Sequence, residues 1–116
     1  MTTSSALERV VEGLMGYNPE KIILFGSAAR GDADEYSDID LIVVKETDQR
    51  FVQRLVDVTP FLPLDLSIDI FIYTPRELEA MILGGNPFIE RALKDGIVVY
   101  EATSGDGPKV DQSGGK

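Results

Sequence analysis

The sequence predicts an α/β (α+β) domain built on a small mixed β-sheet with helices packed on it. Three observations carry that prediction. Helix signals and short apolar runs alternate in the order helix, strand, short helix, strand, helix, strand, helix, helix, strand. The run Leu41–Val44 is apolar without a break, as strands covered on both faces are. The stretch 45–66 is long enough for a helical crossover, which leaves the strands on either side of it parallel.

Each element has its own signal. Ser5 and Glu8 are spaced as a capping box, and Leu7, Val10, Val11, Leu14 and Met15 recur at helical spacing up to Gly16, giving a helix over 5–16. Ile22–Phe25 is a wholly apolar run closed by Gly26, which reads as a buried strand. Ser27–Arg30 fits one helical turn, and 31–37 an acidic loop. Asp38–Val44 forms the second strand. Phe51, Leu55 and Val58, with Val52 and Val56 beside them, describe an amphipathic helix starting after Thr47 or Asp48 and ended by Pro60 and Pro63.

Ser67–Tyr73 is the third strand, with Ile70 and Ile72 on one face and Asp69, Phe71 and Tyr73 on the other. Thr74-Pro75-Arg76-Glu77 opens a helix with a capping box and proline at its first position, and Gly84-Gly85 closes it. Asn86-Pro87 starts another helix that Gly96 ends, and Ile97–Tyr100 is an edge strand. The domain is thus expected over 1–101, with 102–116 a disordered tail, since Val110 is its only large apolar side chain.

Composition narrows the chemistry. The chain has 116 residues, 20 acidic against 11 basic, a net charge of -9, no histidine and no cysteine. Histidine bases, Cys nucleophiles, disulfides and His- or Cys-ligated zinc are therefore excluded. The acidic balance disfavours direct nucleic-acid binding, which draws on Lys and Arg. No run approaches the roughly 20 apolar residues that span a bilayer, and the first residues lack the pattern of a signal peptide, so a cytoplasmic location is expected.

One stretch concentrates what remains. Asp38 and Asp40 lie two apart in a strand, so their side chains share a face. Two close carboxylates repel unless a cation or proton lies between them, and oxygen-only ligands favour Mg²⁺, commonly together with substrate phosphates. If the second and third strands are parallel, Asp69 starts from the same sheet edge and faces the pair. A third carboxylate would bind a second ion or accept a proton from an attacking hydroxyl. Gly26-Ser27, between strand and helical turn, would offer backbone N–H groups to phosphates.

Gly-Ser, ten residues and Asp-x-Asp, written here as FGSAARGDADEYSDIDLIVV, resembles the minimal nucleotidyltransferases of the DNA polymerase β-like superfamily. The later LSIDIFI resembles that family's third-carboxylate strand, and the likeness covers roughly residues 5–100. It implies a nucleotidyltransferase fold, with Asp38, Asp40 and Asp69 as catalytic and Mg²⁺-binding carboxylates and ATP as substrate. Gly26, Ser27 and Arg30 would contact the nucleotide, Arg30 through its place in the family's GSxARG segment. Small stand-alone members of the MntA antitoxin type are paired with a HEPN-domain toxin, which they neutralise by transferring AMP onto a tyrosine. The resemblance thus implies a HEPN partner; homo- or hetero-oligomerisation is left open.

Plainer readings compete with these. Asp38 and Asp40 sit beside a solvated acidic loop containing Asp32, Asp34 and Glu35, and Asp65 competes with Asp69 for the third position. Ser27 also suits a helix cap, and Arg30 a surface ion pair. A different class of function is a non-catalytic antitoxin or nucleotide-binding module that neutralises its partner by contact.

Overall fold

The computed structural model describes residues 2–26, 29 and 39–102. Helix α1 spans Thr2–Leu14 and tightens into a 3-10 turn at Met15–Tyr17. Strands β1 (Lys21–Phe25) and β2 (Ile39–Val44) follow, then helix α2 (Phe51–Val58), which ends in a 3-10 turn at Thr59–Phe61. Strand β3 (Ile68–Tyr73), helices α3 (Pro75–Leu83) and α4 (Pro87–Asp95) and strand β4 (Ile97–Glu101) complete the described fold.

The four strands lie in the order β3-β2-β1-β4. β1 pairs antiparallel with β2 and β4, whereas β2 and β3 are parallel, joined by the crossover through α2. The sheet is therefore mixed, as expected, and β4 is an edge.

Helices cover both faces, which explains the unbroken apolar run of β2. On one face Leu24, Leu41, Val43 and Ile72 pack under Val10 and Leu14 of α1 and Val58 of α2. On the other, Ile23 and Ile42 meet Ile89 and Ala92 of α4, flanked by Phe25 and Phe71. Alternate residues of each strand thus serve two cores.

Local chemistry sets the helix boundaries. Thr74 Oγ1 accepts the Glu77 N–H at 3.1 Å while the Thr74 N–H donates to Glu77 Oε1 at 2.9 Å, the reciprocal capping box expected at α3. Asn86 Oδ1 accepts the Ile89 N–H at 3.1 Å at the start of α4. Helix α1 departs from expectation: it begins at Thr2, placing Ser5 within the helix rather than at its cap. Residues 103–116, and with them nearly all of the expected tail, lie outside the described residues.

Helix α2 also departs from the expected pattern. Val52 and Val56 are 69% and 58% exposed, whereas Arg54 is only 5% exposed. The inward stripe is 54, 55 and 58, and its polar member makes four hydrogen bonds. Arg54 Nε donates to Gln49 O at 2.8 Å and Nη1 to Ile72 O at 3.0 Å, while Nη1 and Nη2 grip Glu77 Oε1 and Oε2 at 2.7 and 2.9 Å. One guanidinium thereby ties the start of α2 to the end of β3 and to the cap of α3, using the planar fork that only Arg supplies.

The same pairing tunes the carboxylate. The hydrogen bonds from Arg54 hold the Glu77 carboxyl down to about 2, against an ordinary value of 4.5. The unfolded chain then binds a proton at Glu77 before the folded one does, so this contribution to stability is present above pH 4.5 and is lost as pH falls towards 2. In acid titrations followed by circular dichroism, Glu77→Gln should flatten the loss of stability in that window. An unchanged slope would show that Glu77 does not couple to folding.

Candidate active site

β1 ends at Phe25, while β2 and β3 begin at Ile39 and Ile68, so one edge of the sheet gathers the end of one strand and the starts of two others. Asp40 is the register partner of Asp69 across the parallel pair and of Phe25 across the antiparallel one. Paired positions on adjacent strands lie about 4.8 Å apart and point to the same face. Leu24, Leu41 and Ile70 belong to the opposite core, which puts Asp40 and Asp69 on the face of Phe25 and Phe71. Asp40 is half-buried and Asp69 exposed.

Gly26 completes this edge. Its φ of +77° is a left-handed conformation that favours glycine, and a Cβ there would collide with the carboxylate of Asp40. Its carbonyl accepts the Ala29 N–H at 3.1 Å, so the chain turns back immediately after β1. The turn presses its backbone against the acid. Gly26→Ala is expected to cost about 1–3 kcal/mol from the backbone conformation alone and to displace Asp40, measured as a lowered melting temperature. An unchanged melting temperature would show that the turn is not constrained in this way.

Of the residues singled out in the sequence, the structure brings together Gly26, Asp40 and Asp69. Asp38, Ser27 and Arg30 lie outside the described residues, as does the acidic loop with Asp32, Asp34 and Glu35. Asp65, the competitor of Asp69, is occupied elsewhere: Arg9 Nη1 and Nη2 donate to its two oxygens at 3.0 and 2.7 Å. Those hydrogen bonds hold its carboxyl below the usual carboxylate range. Asp65 thus ties α1 to the segment leading into β3.

Among the described residues no group of three or more acids converges as a metal-binding set. Asp40 and Asp69 nevertheless supply two carboxylates on one face, beside the backbone turn at Gly26. Such a donor set fits a hard cation such as Mg²⁺, which takes one or two carboxylates and fills its other positions with water and phosphate oxygens.

Two features of this edge escape the sequence pattern. Phe25, Phe71 and Phe88 form an aromatic cluster beside the acids, with ring centroids 5.3 to 6.1 Å apart. The alternation of β3 signals Phe71; Phe88 arrives only through the packing of α4. A groove of about 320 Å³ also opens beside Gly26, bordered by Phe88, Arg91 and Asp95 of α4. A larger groove, about 610 Å³, lies at the other end of the sheet near Lys21, Val44 and Glu101 and is remote from the acids.

The family model described as polymerase β nucleotidyltransferase matches residues 8–104. The chain belongs to that nucleotidyltransferase family. It is 34% identical over 86 residues to MJ1305 of Methanocaldococcus jannaschii, a candidate protein adenylyltransferase, covering 69% of this chain and 57% of that protein. A second candidate adenylyltransferase of that organism, MJ0604, is 58% identical over 33 residues, which are 28% of this chain and 33% of its own length. The chain therefore spans 57% or less of the curated relatives it matches.

Solved structures agree on the fold. A candidate nucleotidyltransferase from Sulfolobus solfataricus aligns with a TM-score of 0.57 at 20% identity, covering 87% of this chain and 88% of its own. A chain from a toxin-antitoxin complex with AMP-PNP aligns with a TM-score of 0.51 at 20% identity, covering 82% and 73%. This nucleotidyltransferase-family chain thus carries the family's fold, and none of its described helices is long and apolar enough to cross a membrane.

Proposed function

We propose that the protein transfers AMP from ATP to a hydroxyl group, with Mg²⁺ as cofactor, and that the acceptor is a tyrosine of a partner HEPN toxin. The observation that carries the reading is the registered pair Asp40 and Asp69, set beside the Gly26 turn on one sheet edge. The adenylyltransferase relatives and the toxin-antitoxin likeness support the donor and the setting. We take 1–101 as the nucleotidyltransferase domain and 102–116 as a tail outside it.

Asp38 and Asp40, with Asp69, would hold the cation. When bound, it supplies neutralisation of phosphate charge and lowers the cost of charge build-up at the α-phosphorus. Gly26 and Ser27 position the phosphates through backbone N–H groups, and Arg30 supports them with its guanidinium. Asp69 accepts the proton of the acceptor hydroxyl; its exposed position lets that proton pass on to solvent. The acceptor oxygen bonds to the α-phosphorus as the anhydride bond to the β-phosphate breaks, and pyrophosphate leaves.

The test is to incubate the protein with adenine-labelled ATP, Mg²⁺ and the candidate toxin, then locate label by mass spectrometry. Adenylylated tyrosine on the toxin is expected. Full neutralisation of the toxin without any label would replace this reading with inhibition by contact.

A further inference from the structure

We infer that the larger groove, at the end of the sheet away from the acids, docks a partner protein, and that the partner enters it with a short, basic, amphipathic helix. The groove measures about 610 Å³, against about 320 Å³ for the one beside Gly26. It opens at Lys21, the first residue of β1, whereas Phe25 at the other end of that strand marks the acid edge. Four strand residues separate the two by about 13 Å. A segment held in the groove need not touch Asp40 or Asp69.

Shape selects a helix. One wall is the face of α3 that carries Pro75, Leu78, Glu79 and Ile82, spaced i, i+3, i+4 and i+7 along about 10 Å of helix axis. Such a ridged wall receives the side chains of a second helix at i and i+3 or i+4. The capping box of Thr74 and Glu77 fixes the first turn of this wall. Opposite it, the Glu20 N–H donates to Val44 O at 2.7 Å and the Ala102 N–H to Glu20 O at 2.8 Å. These backbone groups are committed within the fold, so they are not offered to an extended strand.

The lining selects the chemistry of that helix. Val44, Leu78 and Ile82 supply apolar surface, and Ile82 is 46% and the adjoining Leu83 80% exposed. Three carboxylates, Glu20, Glu79 and Glu101, border this surface against one cation, Lys21, which Glu101 already pairs at 3.6 Å. Glu20 and Glu79 form no ion pair among the described residues. A helix with Leu on one face, flanked by Lys or Arg, complements both the apolar wall and the acidic rim.

Two other occupants fit less well. A second copy carries the same net charge of -9 and meets the rim with repulsion. The chain beyond Ala102 has Val110 as its only large apolar side chain, too little to cover Leu78, Ile82 and Leu83 together.

Titration of the isotope-labelled full-length protein with synthetic helical peptides, followed through its amide NMR signals, tests this. One peptide sets Leu and Lys at amphipathic spacing, a second has Glu in place of Lys, and a third has Ser in place of Leu. Only the Leu–Lys peptide should bind, shifting the amides of Lys21, Val44, Leu78, Ile82 and Ala102 and leaving those of Asp40 and Asp69 in place. Ile82→Ser, at a half-exposed position, should weaken it about tenfold. Glu20→Lys with Glu79→Lys should reverse the preference towards the Leu–Glu peptide. Glu8→Lys with Glu12→Lys, the same change in net charge on exposed positions of α1, should weaken the Leu–Lys peptide by less than about threefold.

Absence of binding, undiminished binding by Ile82→Ser, or equal weakening by the two charge-reversed pairs would overturn the assignment. So would a dimer that Ile82→Ser dissolves, or groove amides of the free protein that move in Val110→Asp, since these would put a second copy or the chain's own end in the groove. None of these readouts uses AMP transfer, so the proposed function stands or falls separately.

Discussion

Asp40→Asn should lower the rate of AMP transfer by at least about a hundredfold, some 2.7 kcal/mol of transition-state stabilisation, while the protein stays folded. Asn has nearly the same shape, so the contact beneath the Gly26 turn is kept while the charge and one acceptor oxygen are lost. The melting temperature should therefore hold within a few degrees, and loss of both rate and fold would point to a packing role instead. Rate and stability measured on one preparation separate the two outcomes. Asp40 is the more informative position to alter because it is half-buried and flanked in register by Phe25 and Asp69, whereas an exposed acid tolerates wider change.

The largest effect on stability is expected far from that edge. Arg54→Ala removes a buried side chain with four hydrogen bonds, and should cost about 3 kcal/mol, equivalent to a melting temperature lower by about 10 °C or more. The exposed side of Glu77 moderates the loss, because its side chain is 44% exposed and water can take over part of its solvation. Arg54→Lys should recover only part of it, since one ammonium cannot serve Gln49, Ile72 and both oxygens of Glu77 together. Because Arg54 bonds the far end of β3 from Asp69, transfer by the surviving folded fraction should be near normal. Thermal melts and activity normalised to folded protein check both statements, and a melting temperature unchanged in Arg54→Ala would show that the network adds nothing.

The parallel pairing of β2 with β3, and with it the register of Asp40 on Asp69, was legible in the sequence. Asp69 could be matched to Asp40 because the length of 45–66 fixes the direction of β3, and strand alternation then fixes its face. The caps of α3 and α4 were equally readable, since Thr74, Glu77 and Asn86 act within four residues of chain. What remained hidden depends on partners distant in sequence. Arg54 is drawn inward by Glu77, 23 residues away, and so displaces the apolar face that Val52 and Val56 suggested. Phe88 reaches Phe25 and Phe71 only because α4 crosses the sheet at that point. Local pattern locates what acts locally; a charged residue on an inward stripe, or a ring at a helix start, declares its partner only in the assembled fold.

The position of the transferred phosphorus tests the central claim most directly. ATP labelled at the α-phosphate or at the γ-phosphate is supplied in parallel reactions with Mg²⁺ and the acceptor protein. Transfer at the Asp40 and Asp69 edge predicts that α-label becomes bound to the acceptor and γ-label is released in pyrophosphate, both stopping in Asp40→Asn. Label on the acceptor from the γ-phosphate, or α-label transferred equally well by Asp40→Asn, would contradict it.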